Sequence, residues 1–158
     1  MTDHPSHRNP WLVLAGFVVV VAIVAVVAGL AATSADQVRA RLEFPAWTPP
    51  AEVAGPLWTV LYVTVAVAGW CYWRTDGETS GFAAYGISLL FNLLWTPLFI
   101  AGGSARLALV DLVALDIALL VTIVLFARRS RLAAGLLVPY LGWLWFITAL
   151  NATVVALN

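Results

Sequence analysis

Residues 11–32 read WLVLAGFVVVVAIVAVVAGLAA, a run without a single charged or hydrogen-bonding side chain except the indole of Trp11. A helix of about 20 apolar residues spans the hydrocarbon core of a bilayer, where the backbone must satisfy its hydrogen bonds internally. The run is longer than the about 7–15 apolar residues of a signal peptide. It therefore predicts a membrane-spanning helix near the start of the chain.

The composition of the whole chain agrees with this prediction. Of its 158 residues, 63% are hydrophobic and 10% charged, whereas soluble domains are about 45–50% apolar and about 25% charged. Four further stretches are long and apolar enough to cross a membrane, at residues 56–74, 81–101, 105–127 and 131–157. We predict an all-α integral membrane protein, a bundle of five transmembrane helices that forms one domain over residues 1–158.

The charged and metal-binding residues exclude several classes of function. Eight basic residues balance eight acidic ones, which gives no argument for nucleic acid as a partner. The two histidines, His4 and His7, precede the first span, and Cys71 is the one cysteine. A histidine-dependent hydrolase triad and a cysteine or imidazole metal site within the spans are therefore not expected.

The arginines favour one orientation in the membrane. Five spans place the two ends of the chain on opposite sides, and basic residues are enriched on the cytoplasmic side. The side that holds the start of the chain has five arginines against three on the other side: Arg8, Arg74, Arg128, Arg129 and Arg131 against Arg39, Arg41 and Arg106. We expect a cytoplasmic N-terminus, with the plasma membrane of a bacterium as the default location.

The connection after the first span, residues 34–55, is unusually long, and long loops in compact domains are often functional. Its start, Ser34-Ala35-Asp36-Gln37, fits a capping box and predicts a short surface helix. It continues as FPAWTPP, residues 44–50, where three prolines stiffen the chain. We expect an ordered loop over one end of the bundle, the alternative being a stiff linker without a function of its own.

Polar and aromatic residues on the third span fall on one face of the helix. Ser88, Asn92, Trp95 and Phe99 are four, three and four residues apart, which confines them to a stripe roughly 60° wide. An amide facing lipid would be costly, so this stripe faces protein or a ligand. The alternative for Asn92 is an interhelical hydrogen bond that only holds the bundle together. Pro97 is expected to bend the helix beside the stripe.

Aromatic residues occur at both ends of the second span. Trp58 and Tyr62 are four residues apart and stack one above the other on a helix, as the wall of a pocket requires. Trp58 is also compatible with a belt at the membrane surface. Trp70, Tyr72 and Trp73 at the other end are interpreted as such an aromatic belt.

The fifth span has a comparable face. Tyr140, Trp143, Ile147 and Asn151 follow one another at intervals of three, four and four residues. Trp145 is about 160° from Trp143 around the helix and is expected to face lipid or a partner subunit.

The fourth span contains two acids, Asp111 and Asp116. A carboxylate inside the bilayer costs about 3 kcal/mol or more and usually faces the bundle interior or an ion path. Five residues apart, the two diverge by about 140°, which argues against one acid–base pair. The alternative is that each acid is protonated or hydrogen-bonded to a neighbouring helix.

Five motifs in this order resemble those of the TspO/MBR family, the tryptophan-rich sensory proteins and mitochondrial translocator (peripheral benzodiazepine receptor) proteins. They are PAWTPP at 45–50, GPLWTVLY at 55–62, FNLLWTPLF at 91–99, ALVDL at 108–112, and PYLGW at 139–143 followed by Leu150-Asn151.

The resemblance implies a homodimeric five-helix receptor or carrier with a sensory or regulatory role. It would bind porphyrins, haem or other tetrapyrroles as ligands, with no required cofactor. Two other functions are implied by relatives: light-dependent porphyrin degradation, in which Trp58 and Trp143 would be the catalytic residues, and passive translocation of a small molecule. The positions of this chain that match the family's pocket residues by motif are Trp47, Pro49, Trp58, Tyr62, Asn92, Trp95 and Trp143.

Two departures from the family pattern limit the assignment of site residues by motif. Val38 and Arg39 stand where relatives often have Trp-Tyr, so Arg39 or Arg41 is expected to contact a porphyrin propionate instead. After Asn151 the chain has Ala152 and Thr153, where sterol-binding relatives continue with tyrosines and an arginine. Sterol binding through that segment is not expected.

Overall fold

The computed structural model describes residues 9–33, 35–101 and 104–158, without the side chains of residues 31, 32, 35, 36, 39 and 101. Its helices are α1 (Pro10–Ala32), α2 (Ala35–Arg41), α3 (Ala51–Trp73), α4 (Thr79–Thr96), a π-helical turn (Pro97–Ala101), α5 (Ala105–Ala127) and α6 (Arg131–Leu157).

Five of these helices are long and apolar enough to cross a membrane: α1, α3, α4 with part of its π-helical turn, α5 and α6. The predicted five-helix membrane bundle is thus confirmed. Helix α5 packs against α4 and α6, while α3 packs against α1 and α6, and α1 also contacts α4. The core between them is made of buried leucine, valine, alanine and aromatic side chains.

The second span begins earlier than the sequence predicted. Helix α3 starts at Ala51, and Pro56 lies inside it. Pro50 has extended backbone before the first turn, and Glu52 in that turn is favoured by the positive end of the helix dipole. Pro56 therefore costs α3 one backbone hydrogen bond instead of marking its start.

The long connection contains the expected short helix. Its short helix α2 is followed by residues 42–50, which we call the lid. Within the lid the backbone N–H and the hydroxyl of Thr48 both donate to the carbonyl of Pro45, at 3.0 and 2.7 Å. Ser34, the expected helix cap, lies outside the described residues.

Pro97 does not simply bend the third span. The α-helix ends at Thr96 and continues as a π-helical turn over Pro97–Ala101. Proline has no N–H to donate, so the regular ladder of hydrogen bonds is interrupted there, and a wider turn is one way to continue the helix.

The aromatic-belt interpretation is wrong for Tyr72. Its side chain is 1% exposed and lies in the core, where its ring stacks on Phe126 with centroids 3.9 Å apart. Its hydroxyl accepts a hydrogen bond from the backbone N–H of Glu78. Trp70, by contrast, lies at the edge of the bundle under the guanidinium of Arg74, whose Cζ is 4.9 Å from the ring centroid.

Candidate functional site

A cavity of about 450 Å³ lies between α1, α3, α4 and α6, beneath the lid. Small-molecule sites in proteins typically enclose about 300–1,000 Å³. The lid contributes Phe44, Thr48 and Pro49 to the cavity wall, and α2 contributes Val38. The space is thus large enough for a ligand and is covered by the segment that the sequence predicted to be ordered.

The wall is aromatic and contains no charged residue among the described residues that line it. Apart from the indole N–H groups, its few polar side-chain groups are hydroxyls, those of Thr48, Thr59, Tyr62 and Thr96. Such a surface favours a flat, hydrophobic ligand. Any charged group of the ligand would have to remain at the rim. The aromatic side chains that line the cavity are Phe44, Trp58, Tyr62, Trp95, Phe99 and Trp143.

Trp58 is the centre of the aromatic cluster. Its ring stacks on Tyr62 at 5.4 Å and on Trp95 at 6.3 Å between centroids, and it meets Trp143 edge-on at 6.2 Å. These side chains come from α3, α4 and α6, so the three inward stripes predicted separately converge on one cluster. Such contacts are favourable aromatic geometries and hold the rings in a fixed arrangement.

Two indole N–H groups of this cluster have no hydrogen-bond acceptor among the described residues. Nε1 of Trp95 and Nε1 of Trp143 are fully buried there. An unpaired buried donor costs about 1–3 kcal/mol.

Asn92 lies outside the cavity wall, beneath Tyr62. Its Oδ1 accepts a hydrogen bond from the Tyr62 hydroxyl at 3.0 Å, and its Nδ2 donates to the Tyr140 hydroxyl. The side chain is 2% exposed. Asn92 thus joins α3, α4 and α6, which is the interhelical alternative considered from the sequence, and it fixes the orientation of one cavity residue.

The structure brings together most of the predicted site residues. Pro49, Trp58, Tyr62, Trp95 and Trp143 all line the cavity. Trp47 does not, because its ring packs edge-on against Phe146, 5.5 Å away, and remains 47% exposed. The side chain of Arg39 lies outside the described part of the molecule. Arg41 is exposed at the end of α2.

Residues from the first span were missed by the sequence reasoning. Ala25, Ala28 and Gly29 of α1 line the cavity. Their small side chains leave room for it, and their spacing of three and four residues places them on one face of the helix. That spacing was the available signal, but it was hidden in a run of uniformly apolar residues.

The two acids do not line the cavity. Both are buried, and Oδ2 of Asp116 accepts a hydrogen bond from the Thr148 hydroxyl of α6 at 2.9 Å. For Asp116 this is the interhelical hydrogen bond proposed as an alternative. Trp145, as expected, faces away from the bundle and is 54% exposed.

Comparison with known proteins shows the family of this chain. The sequence profile of the TspO/MBR family matches residues 17–157. The chain is 38% identical over 121 residues to Tryptophan-rich protein TspO of Archaeoglobus fulgidus, covering 75% of this chain and 78% of the relative.

Two further relatives are similar to the chain over comparable lengths. Human Translocator protein is 37% identical over 117 residues, covering 71% of this chain and 69% of the relative. Tryptophan-rich sensory protein of Cereibacter sphaeroides is 32% identical over 123 residues, 78% of each chain. With its five membrane-crossing helices, the chain is an integral multi-pass membrane protein that belongs to the TspO/MBR family.

Proposed function

We propose that this protein is a membrane receptor or carrier that binds a porphyrin, haem or another planar tetrapyrrole in the cavity beneath the lid, with a sensory or regulatory role. The observation that carries the proposal is the cluster of three indoles, Trp58, Trp95 and Trp143, around one apolar cavity. A macrocycle gains stacking and burial there, at about 25 cal/mol per Å² of apolar surface.

A basic residue near the cavity supports a ligand with anionic edges. Pyrrole-derived ligands carry carboxylates or carbonyls at their edges. Arg41 follows Val38 by three residues on α2, so it lies on the side of that helix that borders the cavity. An exposed guanidinium at this position suits a propionate that stays at the rim.

The relatives' names are consistent with this proposal. Relatives of this chain are named Translocator protein and Tryptophan-rich sensory protein, names that refer to translocation and to sensing.

The test is a titration of the purified protein with protoporphyrin IX, followed by quenching of tryptophan fluorescence. We expect saturable binding in the micromolar range, weakened about tenfold or more in Trp58→Ala and in Trp143→Ala, because each loses an aromatic face of the cavity. Trp145→Ala is the matched control, since Trp145 lies two residues from Trp143 but faces outward. Equal affinity in all three variants would contradict the proposal.

Light-dependent porphyrin degradation is the second candidate function. It is favoured by the contiguity of the indoles, since Trp58 contacts both Trp95 and Trp143, so that several indoles would lie close to a porphyrin bound in the cavity. Illumination of the bound complex distinguishes the two functions. Degradation would be supported if the porphyrin bleaches and this bleaching is lost in Trp143→Phe while binding is retained. A bound porphyrin that does not bleach would support binding without degradation.

A further inference from the structure

The side chain of Asn158, at the end of α6, forms hydrogen bonds with the lid. Oδ1 of Asn158 accepts a hydrogen bond from the backbone N–H of Glu43 at 2.9 Å, and Nδ2 of Asn158 donates to the carbonyl of the same residue at 3.1 Å. The amide thus pairs with both backbone groups of one lid residue. Nδ2 also donates to the carbonyl of Val154 at 2.9 Å, which orients the side chain from its own helix.

Two further contacts of the lid are aromatic. Phe44 meets Phe99 edge-on at 6.3 Å, and Trp47 meets Phe146 edge-on at 5.5 Å. Phe44 is also part of the cavity wall and follows Glu43 directly in the chain. A movement of Glu43 away from Asn158 therefore pulls on the residue that covers the cavity.

We propose that Asn158 is a positioning residue that keeps the lid closed, and that breaking its two hydrogen bonds to Glu43 is a step in the entry and exit of ligands. The bonds lie at the exposed surface, where water competes for the same groups and makes the pair readily reversible. Asn158 does not line the cavity. Its loss should therefore change the rates of binding much more than the affinity.

The first test needs no ligand. Hydrogen–deuterium exchange of the lid amides is compared in the unmodified protein, in Asn158→Ala and in Leu157→Ala, an exposed neighbour that serves as the control. We expect exchange over residues 42–48 to become about tenfold faster in Asn158→Ala and to stay unchanged in Leu157→Ala. Asn158→Asp, which keeps only the acceptor, should lie between them. Unchanged exchange in Asn158→Ala would overturn the proposal.

The second test measures access to the cavity directly. A cysteine placed in the wall by Ala54→Cys, with Cys71→Ser removing the natural thiol, is labelled with a water-soluble maleimide. Asn158→Ala should raise the labelling rate severalfold in this background, and Leu157→Ala should not. Equal labelling rates with and without Asn158→Ala would show that the hydrogen bonds between Asn158 and Glu43 do not control entry to the cavity, whatever the ligand is.

The third test rests on the proposed function. Stopped-flow quenching with protoporphyrin IX should show association and dissociation rates raised together by about three- to tenfold in Asn158→Ala, with Kd within about twofold. Unchanged association and dissociation rates, or a change in one rate alone that alters Kd, would overturn the gating role. Absence of porphyrin binding in the unmodified protein would overturn the proposed function instead. The exchange and labelling results would still test whether Asn158 keeps the lid closed.

Discussion

The two ends of the bundle are both rich in aromatic residues, yet at one end the rings pack against each other in the core and at the other they surround a cavity. At the closed end, Tyr72, Phe126 and Tyr85 stack on one another with centroids 3.9 and 5.8 Å apart. At the open end, Trp58 and its neighbours have centroids 5.4–6.4 Å apart around an open space. Residue type therefore does not decide between core and cavity.

The glycines explain much of the difference. A methyl group added to Gly81 or Gly77 would collide with the ring or hydroxyl of Tyr72, so these positions let the phenol enter the core. At the open end, the cavity lies beside the small residues Ala25, Ala28 and Gly29, and in the residues described no side chain fills the space. Small residues thus admit an aromatic ring at one end and leave room at the other.

The largest effect on stability is expected from a substitution among the packed aromatic rings of the closed end. Phe126→Ala removes a fully buried ring that stacks on Tyr72 and should lower the free energy of unfolding by roughly 3 kcal/mol, because the packed neighbours cannot fill the gap. Unfolding in mixed micelles measures it, with Trp145→Ala as an exposed control that should change stability by about 0.5 kcal/mol or less. Porphyrin affinity of the folded variant should stay within about twofold, since the cavity lies at the other end. A large loss of affinity would show that the two ends are coupled.

A smaller effect on stability is expected from the hydrogen bonds that support the open end. Asn92→Leu leaves the hydroxyls of Tyr62 and Tyr140 without their shared partner, which should cost about 1–2 kcal/mol and weaken porphyrin binding severalfold, because Tyr62 loses its fixed orientation. Ser88→Ala on the same helix is the control, since that hydroxyl donates to the Tyr85 carbonyl within α4. If Asn92→Leu affects neither property, Asn92 does not support the cavity.

The smallest effect concerns the surface of the closed end. Oε1 of Glu78 accepts hydrogen bonds from Nε and Nη2 of Arg129 at 3.0 and 2.7 Å, and this hydrogen bond and the charge of Arg129 lower the pKa of Glu78 below its usual value of 4.5. The lowered pKa contributes stability that is present above pH 4.5 and is lost as the pH falls further through the pKa of the folded state. The Tm of the unmodified protein should therefore drop slightly below pH 4.5, and this drop should be absent in Glu78→Gln. An identical pH profile in both proteins would contradict this assignment.

The sequence predicted the spans well because hydropathy over about 20 residues reports directly on the bilayer. Helical spacing likewise placed Trp58, Trp95 and Trp143 on inward faces, since those faces depend on periodicity alone. It could not predict that Tyr72 is buried, because the slot for its ring is formed by glycines from the next connection and helix.

The position of Trp47 shows the same limit in the lid. Three prolines indicated a stiff segment, but the direction of each side chain depends on what the lid packs against. Here the ring meets Phe146 of α6 and not the cavity. Contacts between distant segments decide such details, and a motif alone does not contain them.

The π-helical turn at Pro97–Ala101 has a consequence for how the binding space can vary in evolution. A π turn accommodates one residue more than an α turn, so a chain shorter by one residue in this segment would run on as a regular helix. The turn would absorb the deletion, so side chains beyond it would keep their directions, while those within it, among them Phe99 and Ile100, which border the cavity, would be displaced. Single-residue insertions and deletions at this turn are thus a route by which related chains can reshape their ligand selectivity without altering any of the tryptophans.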